Sequence, residues 1–310
     1  MRILVTGGSG MIGQTLQSLV KTSSDHEWLF PSSKEMNLMD IDHIEAYIKN
    51  HKPNFVIHLA ANVGGLFKNL SLRVEMLHDN LMMNENILKA CYENQIHQGI
   101  FFCSTCIFPM NPPKYPMTED MMLLGEPHSS NASYAWSKRL LYFQCQNYNE
   151  EHNCHYLCLI PTNIFGPFDN FSIRNGHVIG ALIHRFFLAQ KKNMPLEIQT
   201  GHDSQRQFIT ARDVSRILLE CLEKWEMIHV PSMIIANTER RIVEVIEKIA
   251  DRFDYQNYKI IDKELGQDRK PCSTTLFNCI FPEFIFEDFD KALENTIHWF
   301  QQHYHTDARL

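Results

Sequence analysis

The chain has no apolar run approaching the length of a membrane span, which excludes a helical membrane protein. It has no basic excess either. Its 29 Lys and Arg stand against 36 Asp and Glu, and a net charge of −7 argues against a general nucleic-acid binder with its basic stripe. Any anionic ligand must then be held by local cations and backbone N–H groups. The nine cysteines are odd in number and irregularly spaced, so no disulfide framework is written in them. The opening MRILVTGGSG does not read as an export signal; with the thiols read as reduced, a cytoplasmic protein is expected. Internal repeats, low-complexity tracts and flexible linkers are missing too, so any lobes are expected to pack together. What remains is an ordinary globular composition in 310 residues, long enough for one large or two coupled domains.

Strand-like apolar runs alternate with amphipathic helical stretches. RILVTG precedes a helix over about 12–21, EWLF a helix near 41–49, and NFVIHLA a helix over about 80–93. GIFFCST and a long helix over about 134–151 lead into HYLCLIP. That rhythm predicts an α/β fold, a Rossmann-type doubly wound parallel sheet covered by helices on both faces. The expected division is a dinucleotide-binding domain over 1–165 and a smaller α/β C-terminal substrate lobe over 166–310, some of whose segments return to the sheet.

The loop VTGGSGMIG places Gly7, Gly10 and Gly13 directly after a strand, with Met11 and Ile12 opening a helix. Glycine allows the tight turn and close backbone approach, and a helix N-terminus attracts a pyrophosphate. An NAD binder has an acidic residue after the second strand; here no carboxylate follows until Glu35, and Ser32, Ser33 and Lys34 occupy the turn. Hydroxyls and an ammonium suit a 2′-phosphate, so NADPH/NADP+ is the expected cofactor, although a solvated loop is the common fate of a lysine. Asp40 is placed either to approach the adenine or to cap the following helix.

Tyr134 and Lys138 lie one helical turn apart in SYAWSK, where an ammonium would lower the phenol's pKa. About thirty residues upstream, FFCSTCIFP ends an apolar run with Cys103, Ser104, Thr105 and Cys106. By itself that stretch is open to four readings: a metal knuckle, redox thiols, core filler or catalytic groups. No second cysteine pair stands at a suitable distance for a knuckle. His152, Cys154, His155 and Cys158 superficially suit zinc, but they span a helix end and a buried strand whose alternation sends them apart, so no metal is expected.

The glycine spacing, Ser104 and Tyr134-x-x-x-Lys138 together resemble the extended short-chain dehydrogenases/reductases acting on nucleotide sugars. HLAANVGG, STCIFP, PTNIFGPFDNF, NGHVIGALIHRF and RQF are similar to the GDP-sugar 3,5-epimerase/4-reductases among them, over nearly the whole chain. The resemblance implies a GDP-sugar substrate. It implies that Cys106 is a thiolate base and His177 an acid in epimerisation, with Ser104, Tyr134 and Lys138 serving the reduction. If the segment is extended, Ser104 and Cys106 share a face, and Cys103 and Thr105 point the other way into the core. Asn163 is implied to hold substrate and cofactor, and Arg185, Arg206 and Lys270 to be substrate-binding cations. His177 also precedes an apolar helix pattern, where a helix N-terminus favours its neutral form. The family's usual Trp-Gly ahead of the Arg206 segment is replaced by Thr200-Gly201, which removes stacking surface at the nucleotide end. Family members pair through two long helices, so a homodimer is implied, and Leu140, Leu141, Phe143 and Tyr148 spread around more of the second helix than one core face needs. A dehydratase of this superfamily would carry Asp-Glu where Thr105-Cys106 stands. A catalytically silent relative would lack the tyrosine or the lysine, and this chain has both.

Overall fold

The computed structural model describes residues 1–21, 25–201, 203–263 and 269–310. Strand β1 (Arg2–Thr6) leads to helix α1 (Met11–Val20), β2 (Glu27–Leu29) to α2 (Ile41–His51), and β3 (Phe55–His58) to the short α3 (Leu66–Ser71) and the long α4 (Arg73–Glu93). β4 (Gln98–Phe102), α5 (Ala132–His152) and β5 (His155–Pro161) follow. Then come β6 (Asn163–Phe165), α6 (Val178–Lys192), β7 (Leu196–Thr200), β8 (Gln205–Thr210), α7 (Ala211–Glu223) and β9 (Ser232–Ile235). The chain continues through β10 (Glu239–Arg241), α8 (Ile242–Arg252), β11 (Tyr258–Asp262), α9 (Thr275–Ile280) and α10 (Phe289–His303).

The main sheet is parallel throughout, in the order β2-β1-β3-β4-β5-β9. Its strands are apolar on both faces, as a sheet buried on both sides requires. Leu4, Val56, Phe101 and Cys158 pack into a core with residues of α2, α4 and α5. Their strand neighbours Ile3, Ile57, Ile100 and Leu157 pack into another core with residues of α1, α7 and α9. The doubly wound architecture expected from the alternation is therefore present, and β9 comes back to this sheet from beyond residue 165. A third core joins α6, α8 and α10 through Phe186, Ile246, Leu293 and Phe300, beside the small sheets β10-β8-β6 and β11-β7.

The sheet order reverses between β1 and β3, and loops leaving the C-terminal ends of such strands leave a crevice. Buried polar side chains hold those loops. Asn80 of α4 accepts from the Asn62 N–H at 2.9 Å and donates to its carbonyl at 2.9 Å. The Gly65 N–H donates to the Asn175 carbonyl at 2.9 Å, which joins the loop after β3 to the loop before α6. Among the described residues, no helix is long and apolar enough to cross a membrane.

Candidate active site

A cavity of about 900 Å³ occupies the crevice. One end is the glycine loop. Gly7 has φ +72°, and a Cβ there would sit 2.7 Å from the Ala60 nitrogen; a Cβ on Gly13 would sit 2.5 Å from the Gly7 carbonyl oxygen. The loop is thus closed to side chains, and with Gly10, Met11 and Ile12 it lines the cavity beside the N-terminus of α1. That first turn carries no acidic residue to compete with an anion.

After β2 the expectations separate. Ser33 lines the cavity, whereas Ser32, Lys34 and Asp40 do not. Ser32 donates to Glu35 through both its backbone N–H and its hydroxyl, each at 2.8 Å. Those two bonds hold the exposed Glu35 carboxyl below its ordinary value. Asp40 takes the capping option, accepting from the N–H groups of Asp42 at 3.1 Å and His43 at 3.4 Å. Asn37, Leu38 and Met39 form this part of the wall instead.

The other end holds Ser104, Cys106, Tyr134, Lys138, Asn163, His177, Arg206 and Lys270 together. The extended geometry expected for Ser104 to Cys106 is not what forms. Thr105–Ile107 is a turn of 3-10 helix, and Ser104 caps it by accepting from the Cys106 N–H at 3.3 Å. Serine at the end of a strand competes for backbone donors, and here that competition ends the strand. Ser104 and Cys106 still reach the same cavity. Cys103 belongs to the core, with its thiol 3.6 Å from the Lys138 carbonyl, yet Cys103 and Thr105 both contribute to the cavity wall, contrary to the opposite-face expectation.

Tyr134 and Lys138 lie near the start of α5, both buried, with the Lys138 Nζ 5.9 Å from the phenol ring centroid. The expected lowering of the phenol does not occur. Burial, followed by the nearby Cys106 and Cys103, pushes Tyr134 well above its ordinary value, and burial pushes Lys138 down. In a low-dielectric site desolvation disfavours the phenolate, so Tyr134 keeps its proton. His177 is the N-cap residue of α6 and makes no side-chain capping bond. Burial holds its imidazole below its ordinary value.

Asn163 donates to the Gln207 carbonyl at 2.9 Å. Burial pushes Lys270 down, Cys106 pulls it back up, and Arg206 pushes it down again. Lys270 therefore stands by the thiol, with Arg206 beside Lys270. Arg185 is not brought in: it points to the edge of β7 and donates to the Glu197 carbonyl. Thr200 is buried at the end of β7, outside the cavity wall. The His and Cys quartet diverges as alternation requires. His152 stacks on Tyr92 at 4.4 Å, His155 lies tilted against Trp225 at 4.3 Å, and Cys154 and Cys158 enter the core on the other face of the sheet from Trp225.

Several wall residues were missed in the sequence. His128 lies beside Lys270 and Arg206 and is pushed down by burial and by both charges. Asn131 donates its amide to the Cys106 sulfur at 2.9 Å. Asp169, almost wholly buried, is pushed up to about 7 by burial. The signal for the first two was present in PHSSNASY, directly ahead of Tyr134; polar residues before a helix read as ordinary loop.

Residues 3–235 match the profile of the NAD dependent epimerase/dehydratase family. Over 98% of its length the chain is 36% identical to a GDP-L-fucose synthase of Dictyostelium discoideum, 96% of which is covered. It is 32% identical to a GDP-L-colitose synthase of Yersinia pseudotuberculosis, with 97% of this chain and 98% of that one covered. The structure of a GDP-L-fucose synthetase from Naegleria fowleri bound to NADP superposes with a TM-score of 0.91 at 36% identity, covering 100% of this chain and 95% of that one. The glycine cradle, the Ser-Tyr-Lys group and these matches lead to one conclusion: the chain belongs to the NAD dependent epimerase/dehydratase family.

Proposed function

We propose that this protein is an NADPH-dependent GDP-L-fucose synthase, which epimerises GDP-4-keto-6-deoxy-D-mannose at C3 and C5 and reduces its C4 ketone. The observation that carries the reading is a thiol and an imidazole meeting a Ser-Tyr-Lys group in one cavity that ends in a glycine cradle. Relatives named for this activity match over almost their whole length.

The cradle fits the cofactor. Gly7, Gly10 and Gly13 leave room for a pyrophosphate against the start of α1, Ser33 stands where a 2′-phosphate would be met, and Lys34 is the adjacent cation on the exposed turn. When bound, NADPH supplies the hydride that reduces C4.

The C4 ketone acidifies the C–H bonds at C3 and C5. Cys106 as thiolate takes the proton from carbon, with Lys270 beside it and Arg206 next to Lys270 to stabilise the developing negative charge. His177 returns a proton on the opposite side of the ring. Burial makes its neutral form the resting one, so His177 takes up a proton from solvent as negative charge builds on the substrate, passes it to carbon as the imidazolium and ends neutral again. Ser104 accepts from the Cys106 N–H, which leaves its hydroxyl proton for the C4 oxygen. Tyr134 holds its proton until an alkoxide forms there and then donates it; the Lys138 ammonium steadies the phenolate left behind. Asn163 orients the sugar from β6, and Arg206 and Lys270 meet its diphosphate side, with Arg185 further out.

The same reading takes residues 1–165 with the returning strand β9 as the cofactor domain, and the rest of 166–310 as the substrate lobe. The protein works in the cytoplasm, in keeping with its free thiols, and as a homodimer through α4 and α5. The direct test is to mix protein, NADPH and GDP-4-keto-6-deoxymannose, follow the loss of NADPH absorbance and identify the sugar formed. GDP-L-fucose is expected. An un-epimerised product, or no loss of absorbance, contradicts the assignment.

A further inference from the structure

We propose that Asn131 is a positioning residue for Cys106, which holds the sulfur toward the cavity and favours its thiolate. The inference rests on reading Cys106 as the base. Asn131 occupies the N-cap position of α5, where an asparagine ordinarily turns its side-chain oxygen onto the exposed N–H groups of the first turn. It makes no such bond here. Its Nδ2 lies 2.9 Å from the Cys106 Sγ, and its Oδ1 is buried without a hydrogen-bond partner. The side chain thus gives up the cap and leaves an acceptor unsatisfied in order to present its donor to one sulfur.

A thiolate accepts a much stronger hydrogen bond than a thiol, so an N–H fixed on the sulfur favours the charged form and fixes its direction. The other groups facing Cys106 cannot do both. Its backbone N–H is taken by Ser104, Tyr134 stands near as a protonated phenol, and Lys270 supplies charge without a fixed bond. Because Tyr134 follows three residues later on the same helix, one helix start sets the base of the epimerisation and the acid of the reduction.

Asn131→Asp separates positioning from capping. A carboxylate of the same shape caps a helix at least as well and is favoured by its dipole, but it has no N–H and sets a negative charge against the sulfur. Both Asn131→Asp and Asn131→Ala are compared with a parent carrying Cys279→Ser. Cys279 is the exposed cysteine, Cys106 is half-buried and the rest are buried, so iodoacetamide then reports on Cys106. In each variant, alkylation of Cys106 at neutral pH is expected to slow by about tenfold or more. Deuterium incorporation at C3 and C5 should fall by a similar factor in kcat with KM little changed. NADPH affinity should be unaltered, and the melting temperature of Asn131→Asp should equal or exceed that of the parent. If Asn131→Asp alkylates and exchanges at the parental rate, the amide does not position the sulfur and the inference is overturned; if that variant does not fold, parental rates in Asn131→Ala overturn it equally. Cys106→Ser is run alongside. Undiminished exchange in that variant removes Cys106 as the base, whereas its loss with parental rates in the Asn131 variants removes the positioning role alone.

Discussion

Two buried groups, His58 in the sheet and Asp169 in the cavity wall, set opposite pH dependences on the fold. His58 ends β3 with both ring nitrogens occupied, by the Thr6 hydroxyl at 2.8 Å and the Asn84 Oδ1 at 3.1 Å. Burial, with Lys138 nearby, lowers it to about 3, so its contribution is complete above the ordinary 6.5 and is lost as pH falls through about 3. Asp169 runs the other way. Burial raises it from 3.8 to about 7, and its Oδ2 has no hydrogen-bond partner. Its contribution is complete below 3.8 and is lost as pH rises through about 7. Asp169→Asn removes that loss while keeping the shape. The variant is expected to exceed wild type in stability by roughly 2 to 4 kcal/mol above neutrality, an advantage that fades as the pH approaches 4. Urea unfolding midpoints across this range check it; a gap that does not change with pH contradicts the assignment. Neither group was legible as special in the sequence. A histidine closing an apolar strand and an aspartate in a loop acquire their titration from burial that only the assembled fold provides.

At the scale of elements, α5 brings Tyr134 and Lys138 to the cavity wall. Arg139, buried one residue past Lys138, donates to the carbonyls of Ile107 and Gly125, each at 2.6 Å, and so ties the turn after Ser104 to the helix. The sequence showed this helix and its Tyr134–Lys138 face because periodicity and spacing are local. It did not show the turn at Ser104, because an apolar run gives no notice of where a serine will cap rather than continue a strand. The outer face of α5 is a separate matter. Trp136, Leu140 and Phe143 are 45%, 42% and 49% exposed, and Val74 of α4 is 77% exposed, whereas Leu141 is buried. Exposed apolar residues at that spacing suit a subunit interface. We expect the wild type to sediment at about twice 36.3 kDa and a Leu140→Asp, Phe143→Asp variant to sediment at 36.3 kDa. A wild type that sediments as the monomer at micromolar concentration contradicts the proposed pairing.

For the whole molecule, what the sequence made readable was whatever depends on order along the chain: the alternating strands and helices, the glycine loop, and the Tyr-Lys spacing. What it left obscure depends on distant segments meeting, such as the Gly65–Asn175 contact that brings His177 to the cavity, or the placement of Arg185 against Glu197 instead. The central claim also concerns the assembled molecule: one cavity runs two half-reactions with different groups. Cys106→Ser tests it most directly. A serine hydroxyl is far less acidic than a thiol and cannot supply the thiolate's basic form, while the change in shape is small. Incubated with GDP-4-keto-6-deoxymannose and NADPH in deuterium oxide, the wild type should take up deuterium at C3 and C5 and form GDP-L-fucose. The variant should take up none, yet still oxidise NADPH slowly to give an un-epimerised GDP-6-deoxyhexose. Deuterium at both carbons and GDP-L-fucose at the wild-type rate in the variant would contradict the account.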